Sequence, residues 1–204
     1  MKALILVDIQ NDFLPGGALE VKNGDAILSV VNESTPRFDI VAATQDWHPP
    51  DHSSFASNRE GKKPFDVIEE NGAKHTLWPD HCVQGSSGAD FPSALDLKPV
   101  TAIFRKGMDP AIDSYSGFFD NRHQRSTGLA DWLRGLGVDS VFIVGLAAEI
   151  CVAYTADDAV KSGFTTTVVL DGTRALDKAD FRNKRTELED AGVRFAESDA
   201  VAPG

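Results

Sequence analysis

Val141-Phe142-Ile143-Val144-Gly145-Leu146-Ala147-Ala148-Glu149-Ile150-Cys151 is the stretch on which the chain turns. Its first four residues are an apolar, largely β-branched run, the composition of a strand buried on both faces in a parallel sheet. Beyond it, Val152, Ala156, Ala159 and Val160 recur at i, i+4, i+7 and i+8, one face of a helix. The joint between strand and helix predicts Cys151 in the first helical turn. There, unpaired N–H groups and the positive end of the helix dipole favour a thiolate and can hold an oxyanion. A lone cysteine is more often a small buried hydrophobe. The other strand ends decide between the two.

Ala3 to Val7 reads as a buried strand ending at Asp8. Ile40 to Ala43 form a second, delivering Thr44, Gln45 and Asp46, and Val100 to Phe104 a third, ending at Arg105 and Lys106. Thr165 to Leu170 and a short run near Val193 to Phe195 complete the set. Between them, the spacing predicts a helix from about Asp25 to Pro36, with Ile27, Val30 and Val31 on one face. A second carries Leu129, Trp132, Leu133 and Leu136, capped by Ser126 or Thr127 and stopped by Gly137. A polar helix runs from about Lys178 to Ala191. Alternating strands and helices predict an α/β fold: a doubly wound, mostly parallel six-stranded sheet with helices on both faces, residues 1–204 forming a single domain. Residues 47–99 show little periodicity and much Pro, Gly, Ser and His; so long an irregular segment is expected to build a site.

Composition narrows the function. The 204 residues suit one domain with a sizeable core, and 42% apolar with 25% charged residues is ordinary for a globular chain. A net charge of −11 argues against nucleic-acid or anionic-membrane partners, which call for clustered cations. No apolar run approaches the roughly 20 residues that span a bilayer. Met1 to Asp8 reads as a first strand, not a signal peptide. Two cysteines are too few for a disulfide framework, so a cytoplasmic protein with free thiols is expected.

Asp8, Asp46, Lys106 and Cys151 each follow or end a strand, and in a parallel sheet those ends share one edge, where ligands bind. Asp8 can accept the thiol proton of Cys151, and Lys106 can hold negative charge: a nucleophile, a base and an electrostatic stabiliser. Taken singly, Asp8 reads as well as a loop cap and Lys106 as a snorkelling surface lysine. In Asp46-Trp47-His48 an extended backbone puts carboxylate and imidazole on one side. With His52 and His81 they make a mixed O/N set suited to Zn, Fe or Mn. Trp132 reads as packing and Trp47 as a buttress pointing away from the candidate ligands.

Longer blocks carry a resemblance. Val7-Asp8-Ile9-Gln10-Asn11-Asp12-Phe13, Thr44-Gln45-Asp46-Trp47-His48-Pro49 and Trp78-Pro79-Asp80-His81-Cys82-Val83-Gln84-Gly85 resemble the nicotinamidases of the isochorismatase-like cysteine hydrolase superfamily. So do Arg105 to Pro110, Asp113 to Ser116, and Gly145-Leu146-Ala147 with Cys151-Val152. The resemblance implies a three-layer isochorismatase-like sandwich and an amidohydrolase of nicotinamide, with pyrazinamide as a further candidate substrate, acting in NAD salvage. It maps a catalytic triad onto Asp8, Lys106 and Cys151, and an oxyanion hole onto the backbone N–H groups of Ala147 and Cys151, with a cis peptide before Ala147. It places one divalent metal, Zn before Fe or Mn, on Asp46, His48 and His81 within a loop insertion of about residues 46–99, with His52 an additional candidate ligand. Phe13 and Trp78 would sandwich the pyridine ring, and Asp12 and Tyr115 would support the site. A homo-oligomer is compatible with it. Ala148-Glu149 stands where the family usually has Thr-Asp, which puts substrate preference and rate in question. Rival readings are an amidase for carbamoyl or ureido compounds, whose relatives generally lack the metal cluster, and a catalytically silent binder of nicotinamide or metal.

Overall fold

Alternate residues of the first strand enter opposite cores. Ala3, Ile5 and Val7 join one apolar cluster, Leu4 and Leu6 the other. A period of two with both faces apolar means a strand covered on both sides, and in the computed structural model, which describes residues 1–70 and 72–201, that is what is found. The strands are β1 (Lys2–Val7), β2 (Ile40–Asp46), the hairpin β3 (Val67–Glu70) and β4 (Ala73–Thr76), then β5 (Ala102–Lys106), β6 (Ser140–Gly145), β7 (Thr165–Thr173) and β8 (Arg194–Ala196). Six of them form one parallel sheet in the order β5-β2-β1-β6-β7-β8. Helix α1 (Leu28–Ser34) lies against one face through Val31, while α2 (Leu129–Gly135), α3 (Ala153–Lys161) and α4 (Lys178–Asp190) cover the other through Leu133, Ala156 and Leu188. This is the three-layer α/β sandwich expected.

The strand order reverses between β1 and β6. The chain leaves β1 for β2 and β5 on one side, then returns to β6 on the other. Such a switch point opens a crevice at the carboxyl ends of the two central strands. Gly145 makes the close approach there: at φ +127°, a Cβ would run into the Val7 carbonyl oxygen.

Several boundaries differ from those read in the sequence. β2 continues to Asp46 and β5 to Lys106, because the two strands pair in register up to that residue pair. β7 likewise runs to Thr173. Neither Ser126 nor Thr127 is the N-cap of α2: Gly128 is, at φ +89°, although the Thr127 hydroxyl still accepts the Leu129 N–H at 3.2 Å. Leu136 lies past the helix end and is 38% exposed, so it leaves the apolar face. The β3–β4 hairpin inside the irregular segment carried too short a pattern to predict. Among the described residues, no helix is long and apolar enough to cross a membrane.

Candidate active site

Register alone sets the first contact. Asp46 and Lys106 are partners on neighbouring parallel strands, so their side chains leave the sheet together, and the Lys106 ammonium meets Asp46 Oδ1 at 2.6 Å. The same ammonium lies 2.8 Å from Asp8 Oδ2, 3.6 Å from Cys151 Sγ and 2.9 Å from the Ser114 carbonyl oxygen, to which it donates. All three charged groups and the thiol are buried. Asp8 sits one residue past β1 at φ +49°, strained for a non-glycine. The Thr44 hydroxyl donates to its Oδ1 at 2.6 Å. Oδ2 has no aligned hydrogen bond despite its ion pair, which leaves it free to accept a proton. Carboxylate oxygens of Asp8 and Asp46 and the Cys151 sulfur lie within 4.8 Å of one another, and the Lys106 ammonium, 2.8, 2.6 and 3.6 Å from them, takes the place a cation would occupy.

Electrostatics distinguish the two carboxylates. Burial pushes the Asp8 carboxyl up, and Lys106 only partly offsets it. Burial also opposes ionisation of Asp46, but Lys106 and then His48 outweigh it and hold that carboxyl below the usual range. The Lys106 ammonium is pushed well up despite burial, because Asp46 and Asp8 flank it. The surroundings of Cys151 oppose the thiolate that a helix end favours. Burial, with Asp8 and Asp46 nearby, raises its thiol well above the ordinary value against the pull of Lys106.

Cys151 lies in a π-helical turn, Ala148–Val152, that leads into α3. Ile150 and Val152 N–H both donate to the Ala147 carbonyl oxygen, at 3.1 and 3.2 Å. The Leu146–Ala147 peptide is cis, as the resemblance implied. Ala147 and Cys151 line one small cleft with Phe13, Trp78, Asp46 and His81. Trp78 is held between strand-like bonds to Ser54 and Ala56 and donates its indole N–H to Tyr115 Oη at 3.3 Å.

The candidate metal ligands meet because two loops pair. His48 N–H donates to the Cys82 carbonyl oxygen at 3.0 Å and Gln84 N–H to that of His48 at 2.9 Å, which brings His81 beside β2. His48 Nε2 and His81 Nε2 then face Asp46 Oδ2 at 3.4 and 3.8 Å. Their Nδ1 atoms are engaged by the carbonyls of Gly107 (2.9 Å) and Pro79 (2.7 Å), which orients Nε2 inward. A carboxylate oxygen and two buried, inward-facing imidazole nitrogens fit a divalent cation. Burial and His48 push His81 down to about 4, so its nitrogen is neutral and able to ligate at ordinary pH, whereas Asp46 outweighs burial and raises His48.

His52 stands apart from this trio. Its ring lies 4.3 Å from that of His48 and its Nδ1 bonds Ser54 Oγ at 2.7 Å, but it groups with His48 and Asp113 and not with Asp46 and His81. Its Nε2 is buried without a hydrogen-bond partner. Gly107, at φ +66°, allows the close approach of His48, since a Cβ there would collide with the imidazole. Gly107→Ala is expected to lower cation affinity by roughly 10–100-fold, read by calorimetric zinc titration; unchanged affinity would show that His48 is not held from this side.

Other residues went unassigned or took different roles. Gln10 spans the loops, donating to the carbonyl oxygens of Asp46 (2.8 Å) and Ala89 (2.9 Å) and accepting the Asp46 N–H (2.8 Å). Its place two residues after Asp8 was the available signal. Thr44, Ser114, Asp113, Ile150 and Leu176 also reach the site or line it; the first three stand in the blocks that carry the resemblance, which gave them no role. Asp12 supports a loop, accepting the Cys82 N–H at 2.7 Å. Glu149 accepts the N–H groups of Asp177 (2.6 Å) and Leu176 (3.2 Å), tying the nucleophile turn to the start of α4. Trp47 lies under the Arg105 guanidinium at 3.9 Å, and Trp132 packs on Phe104, as expected. Cys82 and Cys151 are both free.

Comparison with known proteins places these features. The isochorismatase-domain family matches residues 2–200. A nicotinamidase of Acinetobacter baylyi is 49% identical over 86% of this chain and 82% of its own. A nicotinamidase/pyrazinamidase structure from Acinetobacter baumannii superposes with a TM-score of 0.94 at 42% identity, covering 97% of this chain and 96% of the other. A Pyrococcus horikoshii pyrazinamidase, solved in complex with zinc, gives 0.80 at 36% identity over 96% and 98%.

Proposed function

The chain belongs to the isochorismatase family, and from that premise we propose that it hydrolyses nicotinamide to nicotinate and ammonia with Cys151 as nucleophile. The observation that carries this reading is the meeting of Asp8 and Lys106 with Cys151, which opens onto a cleft lined by Phe13, Trp78 and Tyr115 together with Asp46, His48 and His81. Asp8 takes the thiol proton as sulfur bonds to the carboxamide carbon. Its raised carboxyl makes it a better acceptor than an ordinary aspartate. Lys106 holds the emerging charges, and the Ala147 and Cys151 N–H groups receive the oxyanion. The carbon–nitrogen bond breaks, Asp8 returns the proton to the departing ammonia, and a thioester remains. Water then attacks, gives a proton to Asp8, and the thiol is released as nicotinate forms.

Phe13 and Trp78 hold the ring, with Tyr115 fixing the indole. Asp46, His48 and His81 would hold one divalent cation, zinc by donor type, with iron or manganese as alternatives. When bound it supplies a Lewis-acidic anchor for the ring nitrogen. Purified protein is expected to release ammonia from nicotinamide, to lose most of that activity on chelation and to recover it when zinc is restored. Activity on ureido or carbamoyl compounds, with none on nicotinamide, would overturn the reading.

A further inference from the structure

The cleft does not end at the ring-binding aromatics. Four of its lining residues, Trp78, Tyr115, Ile150 and Leu176, also line a wider groove that runs outward from it. Counted with the solvent it opens to, the groove spans about 1350 Å³ against about 350 Å³ for the cleft. One part of its lining continues the aromatic row in edge-to-face contacts, Phe65 to Trp78 at 6.1 Å, Trp78 to Tyr115 at 6.4 Å and Tyr115 to Tyr154 at 5.2 Å, while α4 lines it with Asp180, Lys184 and Glu187.

The two outer rings are the unexpected ones. Phe65 is 60% exposed and Tyr154 42%, although water is a poor environment for both. Phe65 also stands at φ +73°, an outlier for a bulky side chain, held there by its N–H bond to the Leu77 carbonyl oxygen at 2.6 Å. An aromatic ring kept exposed on a strained backbone beside a cleft points to a ligand contact. Its ring meets the core at the edge of Trp78 and otherwise faces the groove.

We propose that Phe65 and Tyr154, with the outer faces of Trp78 and Tyr115, form a second subsite for an aryl or alkyl substituent carried on the ring of a heteroaromatic carboxamide. The occupant follows from continuity: the cleft and the groove share Trp78, Tyr115, Ile150 and Leu176, so a substituent extending past these residues from the cleft reaches the groove. The inference rests on the amidase reading above and extends it from nicotinamide to larger carboxamides. Glu149 is part of the device, since its bonds to the Leu176 and Asp177 amides hold the wall that the cleft and the groove share.

The test compares nicotinamide with 5-phenylnicotinamide in the metal-loaded wild type, Phe65→Gly and Tyr154→Ala. Glycine accepts the positive φ freely, so Phe65→Gly removes the ring without unfolding the loop, and its melting temperature is expected to hold or rise. The wild type should hydrolyse both compounds. In each variant, KM for the phenyl compound should rise about tenfold, while kcat and KM for nicotinamide stay unchanged. Equal effects on both substrates, or no hydrolysis of the phenyl compound by the wild type, would overturn the subsite. If the wild type releases no ammonia from nicotinamide, the amidase reading fails instead. Calorimetric binding of 5-phenylnicotinamide then decides the subsite by itself, supporting it when binding weakens in Phe65→Gly and ending it when binding is absent or unchanged.

Discussion

Lys106→Met is expected to destabilise the protein by about 3–5 kcal/mol and to abolish activity, the stability loss following from leaving buried charge unpaired. The ammonium is the one cation among Asp8, Asp46 and the Cys151 sulfur, and both carboxylates are buried with it. A single surface ion pair would contribute far less. For a chain of this size the loss corresponds to a fall in melting temperature of about 10 °C. The partner experiment separates charge from shape. Adding Asp8→Asn removes one of the stranded carboxylates, so the double variant should regain a large share of the lost stability without regaining activity. If the two losses simply add, Lys106 and Asp8 are not coupled in solution and the assignment of Lys106 as the stabilising cation fails.

Cys151→Ala is expected to lower ammonia release by at least about 10⁴-fold, since the groups that remain lack a nucleophile to act on. The thiol lines the cleft and is close to the Asp8 carboxylate, and burial raises it, which favours proton transfer to Asp8 as the new bond forms. Removing one sulfur atom leaves the cleft walls in place. Nicotinate binding, followed by calorimetry, should therefore persist, and no thioester should be trapped in mass spectra. Cys82 supplies the control. It too is buried with a raised thiol, but it does not line the cleft, and Cys82→Ala should keep its activity. Normal turnover by the Cys151 variant would remove the nucleophile from the mechanism.

The two experiments draw on different parts of the chain's information. Cys151 could be singled out by a strand-to-helix joint that local pattern reveals. The consequence of removing Lys106 could not, because its partners lie 98 and 60 positions away in sequence and meet it only through strand pairing. The same holds for the thiol: its place in the helical turn was legible, whereas its protonation depends on burial supplied by other segments.

By itself the sequence determined the six strands of the parallel sheet and most helices, since alternation and helical spacing are local and both faces of β1 and β6 read as apolar. It also determined which residue types stand at the strand ends, and its longer blocks carried the family resemblance. Strand order was decided only in three dimensions. No local pattern says that β6 returns beside β1, yet that switch point opens the crevice and sets Asp8 against Cys151. Tertiary structure alone also placed His81 against Asp46 while leaving His52 outside that trio, against the ring of His48, through backbone bonds between loops that lack periodicity. The same packing joined the cleft to an outer groove and turned Phe65 toward it, because the space between loops depends on how they pack together rather than on any one stretch of chain.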